Sequence, residues 1–130
     1  MELKRVVITG VGALTPIGNN REEYWSNLAK GTNGAGPITR FDPEKFRTKF
    51  ACEIKNFDIL DHLNRKEIRK MDPNTQFGMV VGEEAIKDCG INLETIDKDS
   101  VGVIWGSGIG GLKTFQEEAI AYGLGDGTPR

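Results

Sequence analysis

The apolar run Val101–Trp105, followed at once by a glycine cluster, restricts this chain more than any other stretch. In S-V-G-V-I-W-G-S-G-I-G-G-L (Ser100–Leu112), residues rich in β-branching are bounded by turn formers, which predicts a strand buried on both faces. The glycines behind it let the backbone bend sharply and approach a neighbour closely. Leu3–Thr9 (L-K-R-V-V-I-T) is a second, shorter strand signal, with Val6, Val7 and Ile8 suited to cover on both faces. It leads into Gly10-Val11-Gly12 and the polar segment Thr15–Asn20, the order of a first βα unit. Strands apolar throughout belong in a parallel sheet with helices on both sides, normally of about four to six strands. Two strands cannot make one. The chain therefore reads as α/β, and as the N-terminal part of a larger unit, since it also ends on the loop signal Gly127-Thr128-Pro129-Arg130. Alone it is expected to expose sheet edges and a sheet face, an aggregation hazard.

Four helices are predicted between and after these strands. Asn20 with Glu23 has capping-box spacing, Tyr24, Trp25, Leu28 and Ala29 form a stripe, and Gly31 is placed to end a helix over Arg21–Lys30. Gly31–Glu44 reads as irregular connection, and Lys49–Ile54 as a short edge strand. Asn64–Met71 (N-R-K-E-I-R-K-M) repeats the capping-box spacing, with Ile68 and Met71 inward. In helical register Arg65 pairs with Arg69 and Lys66 with Lys70, which puts four cations on one side. This patch is either a solvated face or a docking surface for an acidic partner. Asp72-Pro73 starts the next helix, which runs to about Cys89 and stops at Gly90. Gly78 and Gly82 suit close approach by another element. Ile91–Asp99 is a polar connector with one turn of helix. In the last helix Leu112, Phe115, Ala119 and Tyr122 point inward, and Gly123–Gly127 ends it.

Composition excludes several classes of function. With 130 residues, 38% hydrophobic and 28% charged, the chain is an ordinary globular one. A net charge of −2 gives no general attraction to nucleic acid or anionic lipid. No cleavage-site pattern or membrane-length apolar run is present, so a cytoplasmic location is expected. Cys52 and Cys89 lie far apart and His62 is the sole histidine, which argues against a zinc site. Cys89 falls in an apolar stripe and reads as core.

Gly106-Ser107-Gly108-Ile109-Gly110-Gly111 matches G-x-G-x-x-G between a strand and a helix, as a dinucleotide fold requires. The acidic residue expected roughly 20 positions on has only Asp126 as a candidate, inside a glycine loop. The first cluster has Thr15 where its third glycine belongs. Both clusters equally suit structural corners. No P-loop occurs, and Trp105 rules Ser107 out as a nucleophile elbow. No complete catalytic set is visible.

R-V-V-I-T-G-V-G-A-L-T-P-I-G-N (Arg5–Asn19), F-D-P-E-K-F-R-T-K-F-A (Phe41–Ala51), N-R-K-E-I-R-K-M-D (Asn64–Asp72) and G-S-G-I-G-G-L (Gly106–Leu112) resemble, in order and in register, the N-terminal portion of the β-ketoacyl-acyl-carrier-protein synthases. The type II elongating enzymes of bacterial fatty-acid synthesis fit best. The resemblance implies a thiolase-like layered fold (α-β-α-β-α), incomplete here, with 1–130 a partial N-terminal domain and the remainder absent. The full-length protein would be a homodimer. It implies a decarboxylative Claisen condensation in which a cysteine takes an acyl group from acyl carrier protein. Two histidines then assist decarboxylation of malonyl carrier protein and stabilise the oxyanion. Those residues and a buried lysine would lie beyond Arg130, so the segment alone is expected to be inactive. No cofactor is implied beyond the phosphopantetheine arm that the carrier protein brings. Two sites carry over by resemblance: Ile109 to the acyl pocket near the dimer interface, and Lys66, Arg69 and Lys70 to the carrier-protein docking patch, with Arg130 a possible addition. Two alternatives stay open, a dinucleotide-binding oxidoreductase and a non-catalytic subunit like a chain-length factor.

Overall fold

The computed structural model describes residues 4–125. In chain order it contains α1 (Arg21–Ala29), β1 (Gly36–Pro37), β2 (Phe50–Ala51), α2 (Arg65–Ile68), α3 (Pro73–Cys89) and α4 (Leu112–Leu124), with short 3-10 turns at Ile59–Asp61 and Lys98–Ser100. These residues form two compact units. One holds residues up to Phe57 together with Val81–Ile96, the other Asp58–Val80 together with residues from Asp97 onward. Helix α3 contributes its first half to the second unit and its second half to the first.

In the first unit the ends of α1 follow from its sequence. Asn20 is extended, and its side chain accepts from the Glu23 N–H. The return leg of the capping box shifts by one residue, because the Glu23 carboxylate accepts from the Asn19 N–H at 2.9 Å. Gly31 at φ 69° closes the helix, with Gly31 N–H donating to Leu28 O and Thr32 N–H to Asn27 O, the paired bonds of a Schellman end. The expected apolar stripe is only partly covered, however, with Tyr24 half-buried and Trp25 69% exposed. Lys49–Ile54 supplies a strand as expected, but only Phe50–Ala51 pairs. Its antiparallel partner Gly36–Pro37 lies in the stretch expected to be irregular, in the register Gly36 to Ala51 and Pro37 to Phe50.

The Gly10–Gly12 turn lies directly on the second half of α3. A methyl group at Gly10 would fall 2.7 Å from Cβ of Cys89, and one at Gly12 would collide with the Val81 carbonyl. Only glycine fits. The turn's N–H groups are taken by α3 carboxylates: Val11 N–H donates to Asp88 at 2.9 Å and Ala13 N–H to Glu84 at 2.7 Å. The other Glu84 oxygen accepts from the Arg21 N–H at 2.8 Å. The Arg21 guanidinium pairs with Asp88.

In the second unit Asp72 starts α3 as expected. Its Oδ1 accepts from Asn74 N–H at 3.3 Å, and its carbonyl accepts from Thr75 and Gln76 N–H. Gly90 at φ 67° follows the end of the helix, in the first unit. Val80 and Gln76 are the buried residues among those described. Gly78 admits the Trp105 ring, 2.8 Å from where a methyl group would stand, while Gly82 faces nothing within 4 Å.

Two expectations are corrected. Residues 4–9 and 101–105 form no strand, and they are open to solvent, with Val6 89%, Val103 92% and Ile104 99% exposed. A doubly covered strand needs a neighbour on each edge and a layer on each face; the described residues supply neither. Likewise Leu112, Phe115 and Tyr122 of α4, expected to point inward, are exposed, because no described element covers that face. What stands among the described residues is a mixed helix and strand arrangement with a two-stranded antiparallel sheet and no parallel sheet. Asp126 and Gly127, assigned roles above, lie outside the described residues, as does Arg130.

Candidate functional site

The basic segment is built at the start of the second unit. Asn64 caps α2 by accepting from Lys66 and Glu67 N–H, and Glu67 accepts from the Asn64 N–H, a complete capping box. At the other end the Gln76 side chain donates to Ile68 O at 3.2 Å and Met71 O at 2.8 Å. A four-residue helix is thus held at both ends. Ile68 and Met71 are half-buried, as the sequence suggests, and Arg65, Lys66, Arg69 and Lys70 are exposed. No ion pair among the described residues engages these cations.

The regular i, i+4 stacking expected for all four is only partly kept. Arg69 retains helical geometry (φ −66°, ψ −18°) as the C-cap, and its N–H donates to Arg65 O. Lys70 N–H instead reaches Glu67 O, a tighter turn. The helix cannot continue because Asp72 precedes a proline and must leave the helical region to cap α3.

Ile109 sits in the glycine loop before α4 and is 73% exposed; the described residues form no tunnel around it. Gly106 and Gly108 have nothing within 4 Å of an added methyl group. Gly111 takes the left-handed conformation, φ 66°, and opens α4 without a side-chain cap of its own. That end is instead met by Asp72, whose Oδ2 accepts from both the N–H and the hydroxyl of Thr114 at 3.1 Å. The Thr114 N–H, with Asn74 N–H, holds the Asp72 carboxyl below the ordinary carboxylate range, against a smaller upward push from partial desolvation. A pyrophosphate at this helix start would face a carboxylate, the reverse of what a dinucleotide cradle needs. At the first glycine cluster the N–H groups of Val11 and Ala13 likewise donate to carboxylates, those of Asp88 and Glu84.

In the first unit a cavity of roughly 600 Å³ lies along the β1/β2 ladder, lined by Pro37, Thr39, Glu53, Lys55 and Asn56 among others. Its polar groups serve the fold: Thr39 donates to Glu53 through its hydroxyl at 2.6 Å, and Lys55 donates to Gly34 O at 2.9 Å. Cys52 is exposed, and Cys89 is half-buried with its thiol donating to Ile86 O at 3.1 Å.

The sequence matches the Beta-ketoacyl synthase, N-terminal domain family over residues 3–126. The chain belongs to this family. Among curated members of known name, the 3-oxoacyl-[acyl-carrier-protein] synthase 2 of Staphylococcus aureus (strain COL) is 50% identical over 113 residues, which is 87% of this chain and 27% of that protein. The protein of the same name from Synechocystis sp. is 44% identical over 118 residues, 91% of this chain and 28% of that one. This β-ketoacyl synthase segment therefore spans about a quarter of the length of such relatives. Solved ketosynthase structures share its fold. The ishigamide ketosynthase/chain length factor gives a TM-score of 0.69 at 30% identity, over 90% of this chain and 30% of that one. A ketosynthase of a type II polyketide system, solved with its acyl-carrier protein and bound to a hexaketide, gives 0.73 at 25% identity, over 93% and 32%. These relationships do not favour the oxidoreductase reading.

Two features of this β-ketoacyl synthase segment are missed by sequence reasoning. The clasp of Glu84 and Asp88 on the first glycine turn joins residues more than 60 positions apart, and only the acidic i, i+4 pair on α3 hints at it. The Asp72–Thr114 link spans 42 positions. Its sole signal is an N-cap residue whose second oxygen is left to bind elsewhere.

Proposed function

We propose that this chain is the N-terminal segment of an elongating 3-oxoacyl-[acyl-carrier-protein] synthase. The whole protein joins an acyl group, held as a cysteine thioester, to the carbanion formed by decarboxylating malonyl carrier protein. The nucleophilic cysteine, the two histidines and the buried lysine implied by the resemblance fall outside residues 1–130. In this reading the segment belongs to a thiolase-like α-β-α-β-α fold. Its uncovered runs at residues 4–9 and 101–105 are central strands whose neighbours come from the rest of the protein. Residues 1–130 then form a partial domain of a cytoplasmic homodimer.

The observation that carries the reading is the continuous family match over residues 3–126, joined to 50% identity with a named synthase. The basic segment supports it physically. Lys66, Arg69 and Lys70 stand exposed on a turn capped at one end and pinned by Gln76 at the other, and fixed cations steer acidic partners well. The acyl carrier protein is the partner assigned to them, delivering acyl and malonyl thioesters on its phosphopantetheine arm. Ile109, an apolar side chain on a glycine loop, is assigned to the wall of the acyl pocket. No other cofactor is required.

Full-length protein incubated with acyl and malonyl carrier proteins is expected to release CO2 and yield a 3-oxoacyl product two carbons longer, read by mass spectrometry. Absence of condensation with the carrier protein correctly loaded, or saturable heat of binding to NAD or NADP instead, would overturn the assignment. Condensation only in the presence of a second, catalytic subunit would indicate the chain-length-factor role.

A further inference from the structure

The glycine loop that bears Ile109 lies between two contacts: before it the Trp105 ring stands 2.8 Å from where a methyl group on Gly78 would be, and after it comes the start of α4. Residues 101–110 are exposed, and added methyl groups at Gly106 and Gly108 would touch nothing. Beyond them contact resumes at Gly110, where an added methyl would stand 3.6 Å from the Asn74 side-chain amide nitrogen. It is completed at Thr114, whose N–H and hydroxyl both donate to Oδ2 of Asp72 at 3.1 Å. Asp72 is itself immobilised. Its Oδ1 accepts from Asn74 N–H and its carbonyl from Thr75 and Gln76 N–H, at the start of the helix that carries the buried Gln76 and Val80. The same Gln76 holds the carbonyls of Ile68 and Met71, so the basic segment ends two residues before this anchor.

We propose, resting on the condensing-enzyme reading above, that Asp72 is a positioning residue that fixes the Ile109 loop through Thr114 and so sharpens discrimination by acyl-chain length. Ile109 defines a pocket depth only if its loop returns to one position. The glycines preceding it impose no such restraint; Trp105 against Gly78 limits the loop at its start, and the Asp72–Thr114 link limits it at the end nearer α4. Because that link starts two residues after Lys70, the carrier-docking segment and the pocket loop share one support.

Asp72→Asn separates this role from helix capping. The Asn oxygen still caps α3, but its NH2 group opposes the Thr114 N–H where a carboxylate oxygen stood. In the full-length enzyme the ratio of kcat/KM for long over short acyl carrier proteins is measured for Asp72→Asn, Thr114→Val, Ile109→Ala and the Asp72→Asn/Ile109→Ala double variant. Asp72→Asn is expected to shift that ratio by about fivefold or more with KM for malonyl carrier protein and Tm little changed. Thr114→Val, which keeps the N–H leg, should shift it less in the same direction, and serves alone if Asp72→Asn fails to fold. In the Ile109→Ala background the Asp72→Asn shift should vanish, since the two act through one loop. Equal slowing with all chain lengths together with a lowered Tm would make Asp72 a structural cap and overturn the proposal, as would an unchanged ratio while Ile109→Ala alters it. An enzyme that condenses nothing removes the parent reading itself, a result distinct from either.

Discussion

The carboxylate of Asp72 and the backbone of Gly12 set narrow requirements. Because the Asp72 carboxyl is held below its ordinary value of 3.8 by the Thr114 and Asn74 N–H groups, its charged form is favoured in the folded state. The link is therefore intact above the ordinary value and is lost as pH falls below it, through the depressed folded value. An NMR titration of the Asp72 carboxyl carbon in the full-length protein is expected to give a midpoint under 3.8; a midpoint at or above it would mean that Thr114 does not bind the charged group. Gly12 faces the Val81 carbonyl with no room for a methyl group. Gly12→Ala should therefore destabilise the full-length protein by about 1–3 kcal/mol through overpacking, measured by urea denaturation. An effect under a few tenths of that would show that the turn stands off the helix.

Among the elements, helix starts were legible and strand partners were not. Asn20, Asn64 and Asp72 each cap the helix the sequence assigned to them, because capping is local: the side chain bonds an N–H two or three residues away. Gly31 and Gly90 end helices for an equally local reason, a positive φ. By contrast Val6–Ile8 and Val101–Trp105 have the composition of strands without the pairing, since pairing depends on residues far off in the sequence. The basic segment lies between these cases, its cap predictable and its tightening at Lys70 a consequence of the next helix. Asn64→Ala should cost about 1 kcal/mol and blur the patch. Charge reversal of Arg69 and Lys70 to Glu should raise KM for acyl carrier protein on the order of tenfold at low salt and leave little further salt dependence. Steady-state kinetics at graded NaCl check this, and an unchanged KM would make the patch a solvated face.

For the molecule as a whole, the mismatch between sequence and cover is the main feature. The chain has 38% hydrophobic residues, yet Val80 is the hydrophobic residue buried among those described, and Ile104 is 99% exposed. Exposed apolar runs of this length favour association. Residues 1–130 expressed alone should bind the dye ANS strongly and melt without a sharp transition by circular dichroism; a soluble monomer with a cooperative melt would contradict the incomplete-domain reading. The family was legible from the motifs, whereas the surroundings of Ile109 were not, since its loop leaves the side chain exposed among the described residues.

Glu84 adds a constraint of a different kind. One of its oxygens holds the N–H of Ala13 and the other the N–H of Arg21, so a single carboxylate sets the separation between the glycine turn and the first turn of α1. The intervening loop, with its Thr15–Gly18 bridge, is thereby measured against the width of one side chain. A deleted residue there would pull directly on the two bonds, whereas an inserted one would have to bulge outward between two fixed ends.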